Sequence, residues 1–375
     1  MLIYLIILGV FLIYYLIYVG IFYTGLERKY LAANAAALQV SVVVAARNEE
    51  KTIRQLLTSL ISQDYPQESY EIIIVDDGST DHTTEIVKDF KKKASNLMLI
   101  HSTVDKHIRS RKKHALSLGI EKSKGNIILT TDADCIVGYQ WILGIVRYFG
   151  RGVGMVAGFS QPFIPQWKEA TFVQKYEYID TIGLFFAAAG SLGADKPFSC
   201  SGQNLAFTRQ AFNEIGGYEN IKDYISGDDV LLMQLIKQAK YKIRFAFGKE
   251  TYAFTKSEKN LGAFLNQRTR WASNEKPQFF LNQEFFLYLL DVFLLNTMIL
   301  VGMFLFPIYV GIIWLIKLIA EYLVFRKGTN RFHIEKKRLS LFSLWMLLQP
   351  LYITVIGIGG KLNLFSWKKK PRAFS

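Results

Sequence analysis

Asn126-Ile127-Ile128-Leu129-Thr130-Thr131-Asp132-Ala133-Asp134-Cys135 is the stretch whose reading decides the fold. An apolar run stops abruptly at two carboxylates one residue apart. Apolar and β-branched residues closed by acids read as a buried strand that carries its carboxylates to the sheet edge. Alternate residues of an extended segment point the same way, so this spacing aims Asp132 and Asp134 at one ligand. In open α/β sheets ligands sit at the carboxyl ends of strands. Two acids there suit a hard divalent cation whose remaining ligands come from a diphosphate. A plain strand-end turn, where Asp is common, is the competing reading.

Outward from this stretch the same grammar repeats. Ser41-Val42-Val43-Val44-Ala45-Ala46 reads as a buried strand, and residues 49–61 place Ile53, Leu56, Leu57 and Leu60 at helical spacing. Glu71-Ile72-Ile73-Ile74-Val75 is a second strand, running into Asp76-Asp77-Gly78-Ser79-Thr80-Asp81. A helix over 82–93 gathers Lys at its end, where the helix dipole favours cations. A strand over 97–100 and a helix over 110–122 follow. Strands alternating with helices predict βαβ units, a mostly parallel sheet and right-handed crossovers. After residue 135 the rhythm loosens. The pattern predicts helices over 141–149 and 166–190, a strand over 153–158, and a loop entering a strand at Ser201-Gly202-Gln203-Asn204-Leu205-Ala206-Phe207. It then predicts an amphipathic helix opened by Gly227-Asp228-Asp229 and a last one over 260–272.

The 375 residues are 51% hydrophobic and 14% aromatic, and carry a net charge of +14. High apolar content with basic flanks indicates a membrane protein. Nucleic-acid binding is the other common use of positive charge. No nucleic-acid motif is present and the basic clusters adjoin apolar spans, so no nucleic-acid partner is expected. Residues 1–23 are almost wholly apolar and long enough to cross a bilayer. They have no basic start, and Tyr recurs through them, so they read as an anchor rather than a cleaved signal peptide. Glu27-Arg28-Lys29 place the C-terminal side of the anchor in the cytoplasm. The expected layout is an anchor at 1–26, a tether at 27–39 with a short helix, an α/β domain at 40–282 with an interfacial helix at 260–272, and a membrane region at 283–375. Residues 285–325 hold two membrane lengths, broken near Gly302 and Pro307, and 339–359 hold a third around Pro350. The basic connector 326–338 and the tail with Lys368, Lys369, Lys370 and Arg372 both favour the cytoplasm. Three full crossings would put the tail outside, so one segment, best 339–359, is expected to be re-entrant or bent. Cys135 and Cys200 lack metal-site spacing and fit a reducing compartment.

Four further constellations share the chemistry of the opening stretch. Asp76 and Asp77 end a strand, where a carboxylate can accept from a base N–H and a ribose hydroxyl. A helix cap would account for one acid, not two. Arg111-Lys112-Lys113 open a helix against its dipole, which suits a nearby anion, or else forms a solvated basic face. Asp228 and Asp229 precede an apolar-faced helix, as caps or with one of them as a general base. Gln267, Arg270 and Trp271 share one helix face and offer an amide, a guanidinium fork for phosphate and a ring for a sugar. An interfacial helix would also collect Trp and Arg.

The ordered set Asp-Asp-Gly-Ser-Thr-Asp, Asp-Ala-Asp, Gly-Asp-Asp and Gln-x-x-Arg-Trp, with membrane spans outside it, resembles the membrane-bound family-2 glycosyltransferases. That group contains the cellulose, chitin, hyaluronan and poly-N-acetylglucosamine synthases and the ceramide glucosyltransferases. Val43-Val44-Ala45-Ala46-Arg47-Asn48-Glu49-Glu50 resembles the family's first strand and turn. The resemblance covers about residues 40–275. It implies a GT-A fold, here a mixed, mostly parallel sheet flanked by helices, and inverting transfer from a nucleotide-diphosphate sugar. By matching position Asp76 and Asp77 hold the nucleoside, Lys112 contacts the donor, Asp132 faces the nucleotide, and Asp134 binds Mg or Mn. Asp229 is the base, beside Asp228. Gln267, Arg270 and Trp271 hold diphosphate and acceptor, and Gly202, Gln203 and Asn204 contact the acceptor or donor sugar. Family members often carry Glu-Asp where this chain has Asp228-Asp229, which keeps the charge. The late His by which many GT-A enzymes hold the metal has no counterpart, since the sole His after His114 is His333 in the connector. The implied partners are a nucleotide-diphosphate sugar, a lipid or glycan acceptor and the lipid bilayer. The reading is transfer onto a lipid or lipid-linked glycan by an integral membrane protein with a cytoplasmic catalytic domain. A processive polysaccharide synthase and a non-catalytic binding protein on the same fold are the alternatives.

Overall fold

The computed structural model describes residues 1–30, 38–103 and 108–366. Most of the expected tether and the basic end of the tail lie outside the described residues. The chain opens with helix α1 (Leu2–Gly25) and then builds β1 (Val40–Ala46), α2 (Ile53–Ile61), β2 (Tyr70–Asp76), α3 (Thr83–Lys91), β3 (Leu97–His101), α4 (Arg111–Lys122) and β4 (Ile127–Thr130). These are the βαβ units expected from the alternation. The chain continues through β5 (Cys135–Val137), α5 (Trp141–Val146), β6 (Val153–Gly158), β7 (Ser160–Phe163), α6 (Phe172–Gly193), β8 (Leu205–Thr208) and α7 (Arg209–Glu214). Then come α8 (Val230–Gln238), β9 (Lys242–Ala246), β10 (Ala253–Lys256), α9 (Leu261–Ala272) and α10 (Glu275–Leu281). Three long helices, α11 (Gln283–Leu305), α12 (Pro307–Arg331) and α13 (Phe342–Lys361), end the described chain.

The main sheet has the order β3-β2-β1-β4-β8-β6-β9. It is parallel from β3 to β4, β8 runs antiparallel to both its neighbours, and β9 is parallel to β6. The central strands are apolar on both sides because both sides are covered. Val42, Val44, Ile72 and Ile74 pack with Leu56, Leu57 and Trp141, whereas Val43, Ile73 and Val75 pack with Leu116, Ile120 and the aromatic side chains of α6.

Three features depart from the sequence reading. The strand ends at Thr130, so Asp132 and Asp134 sit in a turn closed by the Cys135 N–H donating to the Asp132 carbonyl at 3.0 Å. Extended alternation is therefore not what aims them. Thr131 donates its hydroxyl to the Gln203 carbonyl at 2.8 Å and pulls the chain out of the strand. Helix α6 begins at Phe172, not 166, where Thr171 and Gln174 form a capping box. A second sheet, β5-β10-β7, was not anticipated and floors the region beside the turn.

Four segments are long and apolar enough to cross a membrane: Leu2–Gly25, Gln283–Leu305, Pro307–Arg331 and Lys336–Lys361. Helices α1, α11 and α12 pack on one another, around Leu8, Leu12, Tyr15, Leu295, Ile299 and Val310. Helix α13 behaves differently, because both its ends rest on helices of the sheet body. Near its start Trp345 donates to Asp180 of α6, and near its end a Cβ on Gly359 or Gly360 would meet Thr269 or Ala272 of α9 at 3.0 and 2.8 Å. Only glycine permits that approach. Ser366, beyond the helix, exchanges two hydrogen bonds with Asn266 of α9. Leu344, Leu347, Leu351, Val355, Ile358 and Leu362 form an exposed stripe along the opposite face.

Candidate active site

The carboxyl ends of β1, β2 and β4, the turn after β4, and the N-termini of α4 and α8 converge at one edge of the main sheet. The three cations that open α4 each find a different partner there. Arg111 forks onto Asp77, with Nε 2.9 Å from Oδ2 and Nη2 3.0 Å from Oδ1. Lys112 places its Nζ 2.8 Å from Asp132 Oδ1 and 2.7 Å from Asp228 Oδ2. Lys113 is 2% exposed and donates to the carbonyls of Tyr224 and Ser226, which fixes the loop leading into Asp228. Neither an anion alone nor a solvated basic face explains the triplet. Arg111 holds the acid at the end of β2, Lys112 joins the turn to the acids before α8, and Lys113 fixes the loop between.

Asp76 is 5% exposed; its Oδ1 accepts the Ser79 N–H at 3.2 Å and its Oδ2 lies 3.3 Å from His101 Nδ1. The local turn that could have explained Asp76 is thus present, and Arg111 engages Asp77. Both stay at the end of β2, beside the cluster.

Asp229 caps α8. Its Oδ1 accepts the Val230 N–H at 2.7 Å and its Oδ2 accepts the Gly202 N–H at 2.9 Å. Burial, and next the charge of Asp228, raise its pKa, whereas in Asp228 burial is opposed by Lys112, Lys113 and a backbone hydrogen bond, which together lower it. Two neighbouring acids are thereby driven apart, one toward accepting a proton and one firmly ionised. A Cβ at Gly202 would lie 3.0 Å from Asp228 Oδ2 and 3.3 Å from Lys112 Nζ, so glycine is required by close approach. Gln203 donates its amide to Thr255 Oγ1 at 3.2 Å. Asn204 corrects an expectation. It is fully buried, its amide donates to the Phe159 and Thr251 carbonyls, and its oxygen accepts the Trp141 indole N–H. It braces the two sheets and has no group left for a substrate.

Asp134 is half-buried beside Asp132, and burial, then the charges of Asp132 and Glu49, push its carboxyl up to about 7. A carboxylate so short of cations is what a metal ligand looks like before its metal arrives. Among the described residues no group of three His, Cys, Asp or Glu could hold a metal ion. Asp132 and Asp134 therefore fit a divalent ion that shares its coordination with a diphosphate, and do not form a closed protein cage.

Helix α9 lies over the acidic side. Burial lowers the pKa of Arg270, and the charges of Asp228, Asp229 and Asp132 oppose that, which places its guanidinium in the field of the cluster. Gln267 accepts the Arg268 Nη1 at 2.6 Å, and Trp271 stacks under the same guanidinium, 4.3 Å from its ring centre. Sequence reasoning passed over Arg268. It is 2% exposed and pairs with Asp180 of α6 at 2.6 Å. A basic residue inside Gln-Arg-Thr-Arg-Trp was the available signal, but its partner lies 88 positions away.

The sequence model described as glycosyl transferase family 2 matches residues 41–216. Over 241 residues the chain is 30% identical to a probable glycosyltransferase of Bacillus subtilis, covering 62% of this chain and 54% of that one. It is 26% identical over 234 residues to a poly-beta-1,6-N-acetyl-D-glucosamine synthase of Staphylococcus epidermidis (62% and 53% covered). It is 29% identical over 240 residues to a beta-monoglucosyldiacylglycerol synthase of a Nostoc species (62% and 48% covered). The matches span about half the length of these relatives. A mannosyltransferase of Pyrobaculum calidifontis, solved with GDP-Man and Mn2+, superposes with a TM-score of 0.61 over 98% of this chain and 99% of that one. At 18% identity this is a likeness of fold, the GT-A fold.

Proposed function

We propose that this chain, whose residues 41–216 form a family-2 glycosyltransferase domain, is an inverting membrane enzyme. It moves a sugar from a nucleotide-diphosphate sugar, foremost a UDP-sugar, onto a lipid or lipid-linked glycan at the cytoplasmic membrane face. The observation that carries the reading is the joining of Asp229, Asp228, Lys112 and Asp132 in one cleft under Arg270. In this reading Asp76 and Asp77 hold the nucleoside, and Lys112 and Arg270 clamp the diphosphate as charge-assisted donors. Asp132 and Asp134 would hold Mg or Mn, which when bound would supply positive charge beside the diphosphate. Asp229, oriented by two backbone N–H groups and raised in pKa, takes the proton from the acceptor hydroxyl. Gln267, Trp271, Gly202 and Gln203 border the acceptor side. Direct inversion needs one base and in-line attack. The leaving diphosphate needs no proton from a protein acid.

A lipid acceptor is favoured because α13, one of three long apolar helices after the domain, packs against α9 beside the cluster. The lipid-synthase relative points the same way, and the polysaccharide-synthase relative keeps polymer synthesis as the second reading. The test is a donor panel of UDP-glucose, UDP-N-acetylglucosamine and GDP-mannose with Mg or Mn, with protein in native-lipid discs and products identified by mass spectrometry. A glycolipid of one added hexose is expected. A ladder of lengthening glycans would replace the lipid reading by the polymer one, and no turnover of any donor would overturn the enzyme.

A further inference from the structure

Asp180, on α6, is 2% exposed and takes three donors: Arg268 Nε at 2.6 Å, Trp345 Nε1 at 3.1 Å and the Tyr352 hydroxyl at 3.2 Å. It joins three elements, since Arg268 lies on α9 and the other two donors on α13. The remaining donors of Arg268 go to Thr181 Oγ1 at 2.7 Å and to Gln267 Oε1 at 2.6 Å, while its plane lies against Trp271. A buried ion pair is a poor way to gain stability, because apolar residues of similar volume often serve as well. What only a charged, planar fork supplies is direction. Arg268 holds the oxygen of the Gln267 amide, so its NH2 group is turned outward as a donor. It also holds one face of Trp271, which leaves the other for a ligand.

We infer that Asp180 is a positioning residue for sugar transfer: through Arg268 it sets the amide of Gln267 and the ring of Trp271, and through Trp345 and Tyr352 it makes that setting depend on membrane helix α13. The inference rests on the glycosyltransferase reading of the site. It gives α13 a role on the acceptor side although none of its residues enters the cleft. It also explains why the polar atoms of Trp345 and Tyr352 point at Asp180 in the sheet body.

The test uses the full chain in lipid discs and the variants Asp180→Asn, Trp345→Phe and Tyr352→Phe. Tyr352→Phe removes one hydrogen bond and keeps the packing, whereas Trp345→Phe also shortens a buried ring that lies against Phe325 and Phe342. Nucleoside diphosphate release is followed from UDP-glucose, UDP-N-acetylglucosamine and GDP-mannose with Mn, in phosphatidylglycerol discs containing diacylglycerol and polyprenyl phosphate. Affinity for UDP and GDP with Mn is measured by calorimetry, and unfolding temperature is recorded. Displacing a positioning group by a fraction of an ångström to an ångström costs up to about 100-fold in rate. We expect kcat to fall about tenfold or more in Asp180→Asn and about threefold in each ring variant. Nucleotide affinity should stay within about twofold, and Tyr352→Phe should keep the wild-type unfolding temperature. If the ring variants keep the wild-type kcat, or lose it only in step with folded protein, the positioning role is overturned while the enzyme stands. If wild type releases no nucleoside diphosphate from any donor, the glycosyltransferase reading fails and the inference falls with it.

Discussion

Replacing Lys112 by Met removes the ammonium that joins two acids of the cleft. Its Nζ lies 2.8 Å from Asp132 and 2.7 Å from Asp228, and the Lys112, Asp132 and Asp228 side chains are 29%, 30% and 14% exposed. Without it, Asp132, Asp134, Asp228 and Asp229 face one another with the charges of Lys113 and Arg270 left in their field. Removing one partner of a fully buried ion pair costs about 3–5 kcal/mol. Because nearly a third of Lys112 and Asp132 meets solvent, screening reduces this to about 1–2 kcal/mol. For a domain of this size that lowers the unfolding temperature by about 2–8 °C. The same geometry makes a further demand. The Lys112 ammonium and a divalent cation both draw on Asp132, so in wild type they compete, and in Lys112→Met they do not. Thermal unfolding of the purified protein, with and without Mn and no nucleotide, reads both effects. The variant should be less stable without metal and should gain more from Mn than wild type does. A variant as stable as wild type without metal, or equal protection of the two by Mn, would refute this account of the cluster.

Three other perturbations probe separate parts of the molecule. Glu177 of α6 is 3% exposed, and burial pushes its carboxyl up to about 7, so the folded chain keeps a proton that the unfolded chain releases near 4.5. Its contribution is complete below about pH 4.5 and lost as pH rises through 7, by about 3 kcal/mol at 1.36 per pKa unit. Glu177→Gln should therefore raise the unfolding temperature at pH 8 and leave it nearly unchanged at pH 4.5; equal effects at both would contradict the assignment. Lys317 is fully buried among α1, α11 and α12 and pairs with Glu321 at 2.7 Å, which also accepts the Tyr15 hydroxyl at 2.6 Å. Lys317→Met should cost about 3–5 kcal/mol in unfolding, and adding Glu321→Gln should return most of it. Finally, Cys135 and Cys200 are buried, so a cysteine introduced at exposed Ser366 can be labelled selectively. In sealed vesicles an impermeant maleimide should reach it from the side that reaches Lys91→Cys; labelling only from the other side would mean that α13 crosses.

The parallel half of the sheet was legible because β1, β2 and β4 are buried on both faces and their helices carry apolar residues at regular spacing. The acid pairs were legible because each exceeds what a turn or cap requires. The rest depended on contacts distant in sequence. Asp132-Ala133-Asp134 alternates like a strand, and only the bond from Thr131 to the Gln203 carbonyl turns it aside. The small sheet escaped notice because its strands have three or four residues and β7 contains Pro162. Asn204 was placed at the sugar by the position it matches in the family resemblance; its three partners come from three other segments. Arg268 was passed over because nothing near it in sequence foretells Asp180.

The central claim, a glycosyltransferase with one general base, stands most directly on Asp229. Wild type and Asp229→Asn should be compared for nucleoside diphosphate release with Mn, from the donor that wild type turns over best. Asparagine keeps the size and one acceptor oxygen, which can serve Gly202 or Val230 but not both, and cannot take a proton. The predicted rate is lower by about 100-fold or more, with donor affinity retained. A variant as fast as wild type would contradict the claim.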